Sequence, residues 1–230
     1  MIFGGLQKTS LSDFPGKIAA VVFTRGCNFR CPYCHNPDLI SGIGPTIATE
    51  FVIDLLKKRR GQLDALVISG GEPTLHDDLP SFVTEVKALG YAIKLDTNGS
   101  RPEMLHRLLD ARLIEYVAMD IKAPYLKYPI VTGRTDIADK IRRSVELIRA
   151  AEIEYEFRTT TVKPLLTDSD IQTIGRQIAG DGTYILQTYR DHRVLDANAL
   201  RDAYPFSNEE LQLLSQSISE SSIVCRARCD

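Results

Sequence analysis

The most constraining feature of the sequence is a regular alternation of short apolar runs with amphipathic segments. The apolar runs are rich in Val, Ile and Tyr, and they end in polar or glycine-containing loops, as buried β-strands do. The segments between them have helical spacing. Because strands joined by helices form right-handed βαβ units, this order predicts an α/β fold with a parallel sheet.

The alternation predicts strands at residues 19–24, 65–69, 92–96, 116–120, 155–160 and 184–187, and helices at residues 49–60, 79–89, 102–111, 137–150, 168–178 and 208–217. Thr49 and Asp168 are predicted helix caps. Six units are too few for the usual closed eight-stranded barrel, so we expect an open (β/α)6 sheet, a partial TIM-like barrel. In such sheets the ligand binds at the carboxyl ends of the strands.

Composition limits the classes of function. The chain has 230 residues, 43% of them hydrophobic, which is enough for one core, so we expect a single domain over residues 1–230. A formal net charge of -2 gives no electrostatic ground for a nucleic-acid partner. The longest apolar run, residues 18–23, is far shorter than the roughly 20 residues of a membrane helix, and no signal-peptide pattern is present. We therefore expect a cytoplasmic protein without a membrane partner.

Three of the five cysteines lie in one loop directly after the first predicted strand. Cys27, Cys31 and Cys34 have the spacing C-x3-C-x2-C, which fits a metal or cofactor site better than a disulfide framework. Three thiolates can hold a cubane iron-sulfur cluster and leave one iron open to a ligand. The alternative is a zinc ion with His35 as fourth ligand, but a histidine next to the last cysteine is poorly placed to share its metal.

Three further motifs follow predicted strands. They are Gly70-Gly71-Glu72-Pro73, Asp96-Thr97-Asn98-Gly99 and Asp120-Ile121-Lys122. Without the cysteine loop, these residues would be interpreted as turns and solvated rim charges. Beside such a loop, two carboxylates and an amine suit a ligand that is both zwitterionic and cationic.

Together the motifs resemble those of the radical S-adenosylmethionine (SAM) superfamily. The cysteine loop is its hallmark, with Tyr33 as the aromatic residue before the last cysteine, and Gly70-Gly71-Glu72 is similar to its GGE motif. The resemblance implies a 4Fe-4S cluster on Cys27, Cys31 and Cys34. It also implies that this cluster cleaves SAM reductively to a 5′-deoxyadenosyl radical.

The resemblance also implies a set of SAM contacts. The GGE backbone would contact the methionyl amino group, Asp96 would bind the same group, and Asp120 would bind the ribose. Lys122 would bind the SAM carboxylate or an adjacent group. Arg190 stands where a related activase has a SAM-contacting histidine, so it is either a SAM contact or a rim cation. The two aspartates can help hold a monovalent cation. The full set is Tyr33, Cys34, His35, Gly70, Gly71, Glu72, Asp96, Asn98, Asp120, Ile121, Lys122 and Arg190.

Within the superfamily, the DTNG and DIK motifs resemble those of glycyl-radical-enzyme activases. Residues 4–17 and the run Cys34-His35-Asn36-Pro37 look most like the longer form of anaerobic ribonucleoside-triphosphate reductase activating proteins. That resemblance implies a glycine Cα–H on a partner enzyme as substrate and a flavodoxin- or ferredoxin-type electron donor. Two alternatives stay open: a radical SAM enzyme of the 7-carboxy-7-deazaguanine synthase type, acting on a small molecule, and a non-catalytic iron-sulfur or zinc binding module.

Cys225 and Cys229 repeat a C-x3-C interval near the end of the sequence. We interpret them as two free thiols, with a redox pair or a weak metal site as the alternative. Two cysteines alone do not build a second cubane, so one cluster per chain is expected.

The cysteine loop generates a direct prediction. Anaerobic reconstitution should load close to four irons and four sulfides per chain, and Cys27→Ala, Cys31→Ala or Cys34→Ala should each prevent it because each removes a thiolate ligand. Cys225→Ser is the matched control and should load normally. Iron and sulfide analysis with the visible absorption spectrum measures the outcome; a full cluster in a loop variant, or stoichiometric zinc in the native protein, would contradict it.

Overall fold

The computed structural model describes residues 1–228, and these residues form two compact units that alternate along the chain. The first unit contains Met1–Asn28, Asp38–Thr97 and Arg101–Val117. The second contains Phe29–Pro37, Asn98–Ser100 and the chain from Ala118 onward. The expectation of a single domain stays a prediction. None of the helices in the described residues has the length and apolar character needed to cross a membrane.

The first unit has strands β1 (Ile2–Ser10), β2 (Ala19–Thr24), β3 (Ile47–Ala48), β4 (Ala65–Gly70) and β5 (Ala92–Thr97), and helices α2 (Thr49–Lys58), α3 (Leu79–Ala88) and α4 (Pro102–Asp110). The short helix α1 (Pro37–Ser41) and the strand β6 (Tyr116–Asp120) contribute residues to both units. β2 pairs in parallel with β4, and β4 with β5, whereas β1 pairs antiparallel with β2 and β3.

The second unit has helices α5 (Tyr128–Thr132), α6 (Ala138–Ala150), α7 (Asp168–Gln177) and α8 (Asn208–Ser221), and strands β7 (Glu154–Lys163), β8 (Thr183–Thr188), β9 (Tyr204–Pro205) and β10 (Val224–Arg228). β8 lies between β7 and β10 and is parallel to both. In the described residues β3 pairs with β1 and β10 pairs with β8, so the strand order ends at each of them and the sheet is open.

Burial explains why the apolar runs form strands. Four consecutive residues at the start of β2, and four at the start of β4, are buried, as expected for parallel strands that are covered on both faces. The helices show the complementary pattern. In α3 the buried residues Leu79, Phe82, Val83 and Val86 follow the i, i+3, i+4, i+7 spacing of one helix face. The predicted α/β class is thereby confirmed.

Each predicted strand and helix has a counterpart in the structure, with differences at the ends. β1 was not predicted: it contains two glycines and few apolar residues, and it forms because it pairs with β2 through irregular register. The cap predictions were wrong by one residue. Thr167, not Asp168, caps α7, in a capping box with Asp170. At α2 the N-cap position is occupied by Ala48, and the Thr49 hydroxyl does not cap the helix because it donates to Met1 O.

Candidate active site

In the first unit, two loop backbones lie in contact at the ends of β2 and β4. The amide of Gly71 donates to Thr24 O at 2.9 Å, and the amide of Glu72 donates to Gly26 O at 2.8 Å. A Cβ at Gly71 would lie 1.9 Å from Gly26 O, so no side chain fits between the two backbones. The first loop continues into Cys27. Gly70-Gly71 therefore does more than turn the chain, because the backbone contacts of Gly71 hold the start of the cysteine loop in position.

The Glu72 side chain joins the ends of β4 and β5. It is fully buried, and its Oε1 accepts from Thr74 N at 3.0 Å and from Thr97 Oγ1 at 2.7 Å, as well as from the Thr74 hydroxyl. Hydrogen bonds from several donors compensate the desolvation of a buried carboxylate. The side chain of the GGE glutamate thus has a structural role in this unit.

His76 also contacts the start of the cysteine loop. Its Nε2 donates to the carbonyl oxygen of Arg25 at 2.9 Å. No motif surrounds this histidine in the sequence, and no local pattern indicates the contact, because the two residues are 51 positions apart.

Asp96, at the end of β5, is held by two side chains. Lys94 Nζ donates to Asp96 Oδ1 at 2.7 Å, and Ser69 Oγ donates to Oδ2 at 3.0 Å. Lys94 is only 2% exposed. Lys94 was not predicted as a site residue, although a charged residue in the middle of an apolar strand indicates a buried partner.

The rest of the cysteine loop belongs to the second unit. Cys34 N donates to Cys31 O at 3.0 Å, which closes a turn around Tyr33. Arg30 N donates to Thr132 O at 3.0 Å, so α5 supports the loop from one side. Cys31 is buried, and Cys34 is half-buried.

The charges of the DIK motif form a compact ion-pair cluster in the second unit. Lys122 Nζ lies 2.9 Å from Asp120 Oδ2, and Arg158 Nε lies 2.9 Å from Asp120 Oδ1. Burial raises the pKa of Asp120, but the Arg158 and Lys122 charges outweigh it and hold that pKa below its usual range. Burial lowers the pKa of Lys122, but the Asp120 charge outweighs it and raises that pKa well above its usual value. Both groups are therefore charged at neutral pH.

Tyr33 presents a buried phenol to this part of the second unit. Its ring is 4% exposed, and its hydroxyl has no hydrogen-bond partner within the described residues. Burial raises the pKa of Tyr33 well above its usual value, so the group is a neutral O–H donor. Tyr128 is nearby and fully buried, and its hydroxyl oxygen accepts from Lys122 N at 3.2 Å. A buried donor without an acceptor lowers the stability of the folded protein, so the Tyr33 hydroxyl is suited to donate a hydrogen bond to a bound ligand.

The remaining predicted site residues of the second unit make backbone or side-chain contacts. Ile121 is fully buried, and its amide donates to Arg158 O at 2.8 Å. The Asn98 side chain accepts from Ser100 N at 2.9 Å. His35 Nε2 donates to the carbonyl oxygen of Arg190 at 2.9 Å, while the Arg190 side chain is exposed. The role of Arg190 as a SAM contact or a rim cation stays a prediction.

Among the described residues, no three His, Cys, Asp or Glu side chains are arranged as a closed metal site. The donor chemistry still fits an iron-sulfur cluster, because three cysteines lie within eight positions and Gly71 leaves room only for backbone at the loop start. Cys225 lies on β10, and burial raises the pKa of its thiol to about 12. It is therefore a neutral thiol at physiological pH. The free-thiol interpretation of the two cysteines stays a prediction, because Cys229 lies outside the described residues.

Comparison with known sequences gives matches along most of the chain. Residues 21–178 match the family model described as the Radical SAM superfamily. A protein of Methanocaldococcus jannaschii with the provisional name glycyl-radical enzyme activating enzyme is 34% identical over 92% of this chain and 90% of its own length. The pyruvate formate-lyase-activating enzyme of Listeria monocytogenes is 37% identical over 48% of each chain. The 7-carboxy-7-deazaguanine synthase of Aquifex aeolicus is 40% identical, but over 34% of this chain and 36% of its own.

Solved structures share the fold at low sequence identity. Streptococcus suis SuiB bound to SAM superposes with a TM-score of 0.67 at 13% identity, over 90% of this chain and 49% of that one. An archaeal TYW1 gives a TM-score of 0.58 at 15% identity, over 89% of this chain and 72% of that one. Together with the open, mostly parallel sheet, these likenesses confirm the predicted fold class.

The contact between Gly71 and Gly26 predicts a measurable effect. Gly71→Ala should lower stability by about 1 to 3 kcal/mol, roughly 2 to 12 °C in Tm, because a Cβ must displace backbone rather than a flexible side chain. It should also reduce iron loading. Gly61→Ala is the control: it tests an added Cβ at a glycine with positive φ and nothing within 4 Å, and iron loading should stay normal. Wild-type Tm and full loading in Gly71→Ala would show that the two backbones separate at no cost.

Proposed function

Because the chain belongs to the radical SAM superfamily, we propose that it is a glycyl-radical-enzyme activase, an oxidoreductase acting on anaerobic ribonucleoside-triphosphate reductase or a related enzyme. The observation that carries the proposal is the match to the activating enzyme of M. jannaschii, which covers nearly all of both chains. The synthase of A. aeolicus matches only about a third of this chain, so activity on a small molecule is the second candidate.

We assign the 4Fe-4S cluster to Cys27, Cys31 and Cys34. Three thiolates leave one iron without a protein ligand, and that open position is the one SAM would take. When bound, the cluster would supply one-electron cleavage of SAM to methionine and a 5′-deoxyadenosyl radical, which would take a hydrogen atom from the substrate. The electron would come from a flavodoxin- or ferredoxin-type donor. Thiolate ligands favour a reducing compartment, so we place the reaction in the cytoplasm.

The charged cluster of the second unit supports SAM as the ligand. Asp120 provides an ionised carboxylate and Lys122 provides a charged ammonium group. Each charge shifts the pKa of the other group so that its charged form is favoured. Tyr33 adds a buried O–H donor without a partner in the described residues. SAM carries a carboxylate, an ammonium group and ribose hydroxyls, so this combination of donors and acceptors matches its polar groups.

The assignment of Lys122 predicts a loss of SAM affinity. Lys122→Met should retain the iron-sulfur cluster and weaken SAM binding roughly 10- to 150-fold, because one charge-assisted hydrogen bond is worth about 1.5 to 3 kcal/mol. Lys127→Met is the matched control, since Lys127 pairs with Asp170 instead, and it should bind SAM normally. Anaerobic equilibrium binding on reconstituted protein measures both. Equal SAM affinity in Lys122→Met and wild type would contradict the SAM contact and show that Lys122 only forms a structural ion pair.

The proposed reaction can be tested by observing its product. Reduced protein, SAM and a candidate anaerobic ribonucleotide reductase, mixed without oxygen, should give an electron paramagnetic resonance doublet. A partner labelled with glycine deuterated at Cα should collapse the doublet, because the splitting comes from the Cα proton. SAM cleavage without a radical on the partner would reject this pairing. Deoxyadenosine formation only with a deazapurine precursor would move the assignment to the small-molecule class, and no SAM cleavage would leave the binding-module alternative.

A further inference from the structure

The Lys94 side chain is an internal counter-ion of Asp96. The two residues are two positions apart on β5 and therefore point to the same face of the strand. The Lys94 side chain is 3% exposed and the Asp96 side chain 14%, with 2.7 Å between Nζ and Oδ1. Lys94 Nζ also lies 5.7 Å from the centre of the Tyr116 ring, whose face attracts cations.

Burial makes this pair obligatory. Burying a charged ammonium group strongly destabilises a protein unless a carboxylate and other acceptors compensate the lost hydration. The charged Lys94 side chain can therefore be buried only because Asp96 pairs with it. The dependence is mutual, because the ammonium neutralises a carboxylate that is itself mostly buried. Ser69 donates to the second oxygen at 3.0 Å, which fixes the orientation of the carboxylate.

These contacts disagree with a bound monovalent cation, which the resemblance to activases implied beside the two aspartates. A cation at Asp96 would lie close to the Lys94 ammonium and would be repelled by it in a low-dielectric environment. In the second unit, Asp120 is likewise already paired, with Lys122 and Arg158. Each aspartate thus has a side-chain cation where an ion would otherwise bind, and the residues present do not fit a dissociable cation.

We propose that Lys94 takes the place of a bound monovalent cation and is a positioning residue for SAM binding, acting through Asp96. This inference rests on the proposed function, since it assumes that Asp96 acts in the SAM site. It predicts that SAM binding by the wild-type protein is independent of Na⁺ and K⁺. It also predicts that removing the ammonium creates a requirement for such an ion.

The test compares SAM affinity in NaCl, KCl and tetramethylammonium chloride at constant ionic strength, using anaerobically reconstituted protein. Wild type should show the same Kd within about twofold in all three salts. Lys94→Met should bind SAM at least about 10-fold more weakly in tetramethylammonium chloride, and NaCl or KCl should restore a large part of that loss. Binding of thallous ion, a K⁺ analogue, followed by ²⁰⁵Tl NMR, should appear in Lys94→Met and be absent from wild type.

Lys87→Met is the matched control, because Lys87 lies in the same unit and pairs with Glu115. It should leave both SAM affinity and the response to salts unchanged. A wild-type protein that loses SAM affinity in tetramethylammonium chloride would overturn the proposal, and this arm needs no variant to fold. A Lys94→Met protein that binds SAM weakly in every salt would also overturn it, because that result indicates a structural role only. None of these measurements involves the partner enzyme, so their failure is distinct from a missing glycyl radical.

Discussion

The close approach of two backbones at Gly26 and Gly71 is the contact on which the first unit's part of the site depends. The Glu72 amide donates to Gly26 O, and a Cβ at Gly71 would overlap that same oxygen. The distance between the loops after β2 and β4 is thus set by hydrogen-bond length, not by side-chain packing. Such contacts vary little, because neither backbone can rearrange without losing its hydrogen bonds. They fix the position of the backbone just before the first cysteine, Cys27.

The second constraint is that the partly buried carboxylates of Asp96 and Asp120 need neighbouring cations, and the two units provide these cations differently. In the first unit, one buried lysine neutralises Asp96. In the second, Asp120 lies between Lys122 and Arg158, and the two cations keep it ionised despite burial. The first arrangement is a single pair, whereas the second is a network, because Arg158 also lies 3.8 Å from the buried carboxylate of Glu156.

Membership of the superfamily and choice of target rest on different evidence. The family model over residues 21–178 establishes the superfamily, whereas the solved structures, at low sequence identity, show the fold alone. The proposed class of target is supported by a relative that matches along nearly the whole chain, beside partial matches to another activating enzyme and to an enzyme of another activity. The distinction matters because one fold supports many substrates, and substrate choice is made by contacts outside the shared motifs.

The sequence by itself determined the α/β class, the position of six strands and six helices, and the candidate cluster loop. These follow from local patterns: apolar periodicity reports burial, and cysteine spacing within one loop reports a shared ligand. Only the tertiary structure revealed β1 as a strand, His76 as a partner of the cysteine loop and Lys94 as the counter-ion of Asp96. It also revealed that the Tyr33 hydroxyl has no hydrogen-bond partner among residues 1–228. β1 and His76 depend on pairing between distant segments. Lys94 and Tyr33 depend on burial, because a polar side chain in water needs no partner and the same side chain in a core does.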